Sequence, residues 1–237
     1  MTELDSDKRD YFASILKGTF GAFPLLGPMA SEAIGRLIPG QRLDRVVEFL
    51  RQMENEVQGM EERIKILEKN IKTDEGLDIF EEGLTQAARS YSKERQERLA
   101  RLVSQSLTAE KIKHAESKKL LNLFRELTDP EVLWLVYYST DPTIGSQFHK
   151  QLIEDSPEVL KPVSREIGSS QDQIDRAALQ DSYKNTLFRF GLIKEHGRSS
   201  YQITSLGRLL VRYIAARKEK NEGEWERNSN HSGYPPE

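Results

Sequence analysis

"RVVEFLRQMENEVQGMEERIKILEKNIK", Arg45–Lys72, is the stretch on which the architecture turns. Apolar residues fall at Val46, Leu50, Met53, Val57, Met60, Ile64, Leu67 and Ile71, in alternating steps of four and three. This is heptad spacing, the period that keeps one stripe of a helix facing a neighbour. The residues between are mostly Glu, Arg, Lys and Gln, which suit a solvated face. A helix through the whole stretch would be about 40 Å long. Alone in water its stripe would stay exposed, so it needs a partner helix. Two partners fit: the helices that follow it, packed antiparallel, or a second copy in a parallel homodimer. The first is favoured, because about three to four heptads is the lower limit for a coiled coil. Residues 41–72 are therefore expected to form a helical, coiled-coil arm, with those eight residues as its seam.

Bulk composition agrees with long helices. The chain has 237 residues, 37 % hydrophobic and 31 % charged, with a net charge of -3. Such polarity suits narrow apolar stripes and one small packed domain better than one large core. The acidic balance argues against a general nucleic-acid binder. There is no cysteine, which excludes disulfides, thiolate metal sites and a cysteine nucleophile. The charged start "MTELDSDKRD" lacks the pattern of a secretory signal, and no apolar run is long enough for a membrane-spanning helix. A cytoplasmic address is expected, with peripheral contact at the inner face of the cell membrane as the variant.

Downstream of the arm, 75–128 reads as a helical middle. Thr73, Asp74 or Asp78 is expected to cap its first helix after a break at Gly76. Phe80, Leu84, Ala87, Ala88, Tyr91, Leu99, Leu102, Val103 and Leu107 mark one face. "SYSKERQERLARL" places Lys93, Arg95, Arg98 and Arg101 among Glu94 and Glu97, the pattern of a solvated face with local ion pairs.

From 129 to 217 the pattern changes. "DPEVLWLVYYS" opens with Asp129 as the expected cap and Pro130 at the first helical position. "DQIDRAALQDSYKNTLFRFGLI" reads as a helix ended by Gly191 in a left-handed cap. "LIKEHGRSSYQIT" then reads as two short strands around "HGRSS", and "SLGRLLVRYIAAR" as a closing helix. Helix, glycine, hairpin, helix resembles the winged-helix fold. In the members that bind DNA, the helix before the hairpin enters the major groove and the hairpin reaches the minor groove. By position that implies nucleic-acid contact by Gln180, Lys184, Asn185 and Arg198. Residues 171–220 hold ten Lys/Arg against five Asp/Glu, which favours phosphate. Asp172, Asp175 and Asp181 on or beside the same helix oppose it, so DNA contact is the less favoured use. The tail 218–237 has no core-forming pattern and is expected to be disordered.

The front of the chain raises the membrane question. "KGTFGAFPLLGPMASEAIGRLIPG", Lys17–Gly40, carries no ionisable side chain between Lys17 and Glu32. Pro24 and Gly27-Pro28 break it, so 8–40 is expected to be an apolar, Gly/Pro-broken helical hairpin. Phe12, Phe20, Phe23, Leu25, Leu26 and Met29 are its candidate contacts with lipid or with protein.

Catalytic chemistry finds little footing. His114, His149, His196 and His231 are far apart, without ligand spacing. There is no Gly-rich phosphate loop, no paired metal carboxylates and no nucleophile elbow. A non-enzyme without cofactor or metal is expected. Its partners would be a second copy or another protein through the heptad arm, and a membrane surface at the front.

Three stretches together carry a family resemblance. "FEEGLTQAARSYSKERQERLARLVSQSL", "SKKLLNLFRELTDPEVLWLVYY" and "LFRFGLIKEH…YQITSLGRLLVRYI" resemble the bacterial Abi-alpha (abortive infection alpha) family over about 75–215. The match is one of pattern, and it supplies no catalytic residues to carry over. It implies a role in defence against phage. The chain is thus expected to be mainly α: a helical or coiled-coil arm and a helical middle, followed by a small α+β winged-helix domain. The leading function is a non-enzymatic effector or accessory of anti-phage defence. The alternative is a dimeric winged-helix transcriptional regulator.

Overall fold

The computed structural model describes residues 43–140, 146–163, 168–196 and 200–215. Helix makes up 74 % of them, so the mainly-α expectation holds. The order is α1 (Leu43–Val57), α2 (Glu61–Asn70), α3 (Asp74–Arg89), α4 (Lys93–Leu107), α5 (His114–Glu126) and α6 (Asp129–Tyr137). Then come α7 (Gln147–Asp155), α8 (Pro157–Leu160), α9 (Gln171–Arg189), β1 (Ile193–Glu195), β2 (Tyr201–Ile203) and α10 (Ser205–Ile214).

The heptad stretch is two helices rather than one. The chain turns at Gly59, whose φ of 77° lies in the left-handed region that suits glycine. Met60 N–H donates to the Val57 carbonyl at 3.1 Å across the turn. The seam then folds onto the chain's own helices. Val46, Leu50, Met53 and Val57 are buried with Phe49, and α1 packs chiefly on α4 and also on α3. In the second half Leu67 and Ile71 are buried, while Met60 and Ile64 are part-buried. The apolar period was real, but at Gly59 the backbone is free to reverse its handedness, and packing within the chain uses that freedom.

The helix ends show why each element starts where it does. Thr73 caps α3, its hydroxyl accepting from Gly76 N–H at 3.1 Å. Gly76 therefore lies inside the first turn and is not the break. A Cβ there would collide with the Asn70 carbonyl. Asn70 itself is buried and donates to the carbonyls of Leu107 at 2.9 Å and Ala109 at 2.8 Å, pinning the end of α2 to the end of α4. Ser92 caps α4. Thr128, one residue before the expected Asp129, caps α6. Glu131, at the third helical position, accepts from the Thr128 N–H at 2.6 Å and from its hydroxyl at 2.9 Å, so one carboxylate holds the helix start. Tyr91, expected on the apolar face, is 90 % exposed because it lies in the linker between α3 and α4.

At the C-terminal end, α9 stops at Gly191, whose φ is 68°. Gly191 N–H bonds Phe188 and Leu192 N–H bonds Leu187, closing the helix end. The strands pair antiparallel, with Ile193 opposite Ile203 and Glu195 opposite Tyr201. Thr204 then caps α10 by accepting from Gly207 N–H at 3.1 Å and donates to the Gly191 carbonyl at 2.7 Å. Helix, hairpin and helix thus form one hydrogen-bonded unit. It is joined to the rest by apolar packing of α9 on α6 and of α10 on α4 and α6. The buried apolar residues, from Val46 in α1 to Ile214 in α10, make one continuous cluster.

Candidate functional site

α10 returns across α4 and the end of α6. Where these helices meet α7, they leave a groove of about 900 Å³. One wall is α4, which contributes Glu94, Glu97, Arg98 and Arg101. The facing wall is α10, with Arg208, Val211, Arg212 and Ile214. Val136, Ser139 and Thr140 close one end, with Phe148 beside them. The groove therefore holds four guanidinium groups and two carboxylates, with Val136, Phe148, Val211 and Ile214 as its apolar lining.

These charges are not equivalent. Arg101 is committed. Its Nε lies 3.0 Å from Glu56 Oε1, a second nitrogen lies 3.7 Å from Glu97, and a third donates to the Ile214 carbonyl at 3.5 Å. Arg95, nearly two turns back, is equally committed. It donates to Asp129 at 3.0 Å and to the Phe124 carbonyl at 2.7 Å, and it lies over the Phe124 ring. Arg98 between them is part-buried, yet it makes no hydrogen bond or ion pair among the described residues. Burial holds its pKa below the usual arginine value, against the pull of Asp129 and with added repulsion from Arg101. It stays protonated at neutral pH all the same. Arg208 and Arg212 are exposed at the rim, also without an ion pair among the described residues.

The solvated face expected for 93–101 thus holds for Lys93 and Glu94, which are exposed, and not for the three arginines, which are part-buried. The signal was present as arginine rather than lysine at 95, 98 and 101, but helical spacing alone does not say that a distant α10 covers that face.

The module carrying α10 is fixed to the helical body by polar contacts as well. Tyr213 donates its hydroxyl to Glu116 at 2.9 Å, and burial together with that carboxylate raises its pKa to about 12. Gln105 donates to the Arg212 carbonyl at 3.3 Å. An aromatic group backs the junction, with Trp134, Tyr137, Tyr138, His149 and Tyr201 in successive ring contact. His149 is buried and bonds the Tyr137 carbonyl through Nε2 at 3.0 Å.

The residues expected to touch nucleic acid are placed as follows. Gln180 is buried, and its amide donates to the carbonyls of Val159 and Lys161, both at 2.9 Å. Lys184 lies with its ammonium 4.5 Å from the centre of the Trp134 ring. Asn185 is exposed on α9. Arg198 lies outside the described residues, as do Phe12, Phe20, Phe23, Leu25, Leu26 and Met29 and the tail 218–237. Of the four, the two inward-facing ones serve the packing of α9 on α6 and α8.

Among the described residues no group of three or more His, Asp or Glu side chains is placed to hold a metal ion. No helix among them is long and apolar enough to cross a membrane. Compared with protein-family models, with curated proteins and with solved structures, the chain matches none.

Proposed function

We propose that this chain is a non-enzymatic binding component of bacterial anti-phage defence, of the abortive-infection type. The C-terminal helix, hairpin and helix is read as a winged-helix module that docks or senses. The front segment, with Phe12, Phe20, Phe23, Leu25, Leu26 and Met29, is read as the part that engages membrane or a partner. The observation that carries the sensing role is the groove itself. It lies where the module's last helix closes on the helical body, so whatever fills it bears on both. Binding there would release residues 11–38 from a covered state. The resemblance to the Abi-alpha family supplies the biological setting.

The regulator alternative draws less support. Its dimer seam would need the apolar stripe of α1, which is spent on α3 and α4. Its reading surface would need Gln180 and Lys184, which are spent on backbone carbonyls and on Trp134.

The test is phage plating on cells that express the full chain with its native neighbours. Plating should fall by at least about tenfold relative to cells with the chain deleted. Normal plating across a broad phage panel would sink the defence reading. Liposome flotation of the full chain beside a version lacking residues 1–41 tests the front segment separately, and equal flotation of the two would remove its membrane role.

A further inference from the structure

We propose that the groove between α4 and α10 binds a small amphipathic anion, with a carboxylate or phosphate head on Arg98 and an apolar body along Val136, Phe148 and Val211. The inference rests on reading the groove as the sensing site, and it names what is sensed.

The argument begins with Arg98. Taking a guanidinium part-way out of water is costly unless a counter-charge or hydrogen bonds replace the lost hydration. Its neighbours on α4 have that compensation, since Arg95 has Asp129 and Arg101 has Glu56 and Glu97. Arg98 makes no hydrogen bond or ion pair among the described residues, and only the charges of Asp129 and Glu94, beyond ion-pair distance, offset its burial. It faces the groove instead. An anion there would find five donors in a planar fork, the geometry that carboxylate and phosphate match best.

The second step is the balance of charge. Arg101 uses Glu97, and Glu94 is exposed, whereas Arg208 and Arg212 stand unpaired on the opposite wall among the described residues. The α4 wall balances Arg98 and Arg101 against Glu94 and Glu97, so the groove's surplus positive charge comes from Arg208 and Arg212 on the α10 wall. The third step is its apolar lining, where Val136, Phe148, Val211 and Ile214 offer nothing to a fully polar ligand. A volume of about 900 Å³ lies within the range of small-molecule sites, roughly 300–1,000 Å³. Head and tail are therefore both specified.

The experiment is calorimetric titration of the purified full chain with octyl phosphate, octanoate, octanol and inorganic phosphate, each below its micelle concentration. Octyl phosphate and octanoate should saturate a single site. Octanol and inorganic phosphate should each bind at least about tenfold more weakly, since each lacks half of the recognised chemistry. Arg98→Gln should weaken octyl phosphate binding by about tenfold or more. Arg208→Gln, at the exposed rim where folding is not at stake, should weaken it severalfold. Arg125→Gln on α5 removes the same charge elsewhere and should leave binding unchanged.

A free amphiphile and a bilayer lipid share this chemistry. Flotation with phosphatidylcholine vesicles carrying phosphatidate separates them. Flotation sensitive to Arg98→Gln assigns the lipid, and its absence assigns the free compound. The proposal is overturned if neither anion saturates, if octanol binds as tightly as octyl phosphate, or if Arg98→Gln and Arg208→Gln both bind as the parent chain does. Because the readout is binding, saturable octyl phosphate with normal phage plating would keep the site and remove the defence role, and the reverse result would do the opposite.

Discussion

Asp78 is held between His114 and Lys118. His114 Nε2 lies 2.7 Å from one carboxylate oxygen and Lys118 Nζ lies 3.1 Å away. Burial alone would raise its pKa, but hydrogen bonds from His114 and Lys118 and the charge of Lys118 bring it below 3.8. The folded state therefore favours the ionised form. Its contribution is full above the unfolded value and fades as pH falls through the lower folded one. Because the side chain is 48 % exposed, that contribution is screened to under about 1 kcal/mol. Asp78→Asn should lower the urea midpoint at neutral pH by this small amount. The gap to the parent chain should close as pH falls below the ordinary carboxylate range and Asp78 is protonated. A gap that is absent at neutral pH, or that does not close at low pH, would mean the ionised pairing does not stabilise the fold. Contacts of this kind, across 36 and 40 residues of sequence, were not legible beforehand, because spacing rules see only neighbours on one helix. Gln180 failed for the same reason. A polar residue mid-helix reads as solvent-facing, and only the carbonyls of Val159 and Lys161 beyond a loop turn it inward.

At the level of elements, the heptad stretch makes the sharper test. Were 45–72 one helix, Gly59→Ala would stabilise it, since alanine is the better helix former by about 1 kcal/mol. In the fold described here Gly59 has a left-handed backbone, and a Cβ would meet nothing within 4 Å. Alanine then costs only backbone strain, about 1–2 kcal/mol, and asparagine costs less. Chemical denaturation of Gly59→Ala and Gly59→Asn should thus show both destabilised, alanine more. A stabilised Gly59→Ala would restore the continuous arm. What the sequence carried at this scale was the identity of the buried stripe and most of the helix positions. Gly191, the two short strands and the closing helix also lie where periodicity put them. What it lacked was the partner: α1 could have served a second copy as well as α4, because a stripe records that something covers it and not what.

Across the whole molecule, the question is whether the C-terminal module moves on its own. The described core is one continuous apolar cluster from Val46 to Ile214. Leu210 and Ile214 of α10 and Leu187 of α9 are buried in it, and Arg101, Gln105 and Glu116 reach across to the module. A seam of this kind couples the two parts, and unfolding should be one cooperative event. The chain supplies its own reporter. Of its two tryptophans, Trp134 lies at the junction, 95 % buried, beneath Lys184 of α9. With Trp225→Phe removing the other, fluorescence follows the module's seating while far-ultraviolet circular dichroism follows helix throughout, most of it in α1 to α5. The two urea transitions should superimpose. An earlier fluorescence transition would mean the module lifts from α6 while the body stays folded, and the groove would then open by dissociation of α10 rather than by side-chain movement. The same variant titrated with octyl phosphate links the scales, because a ligand that touches both walls stabilises the seated state by mass action and should move both transitions upward together.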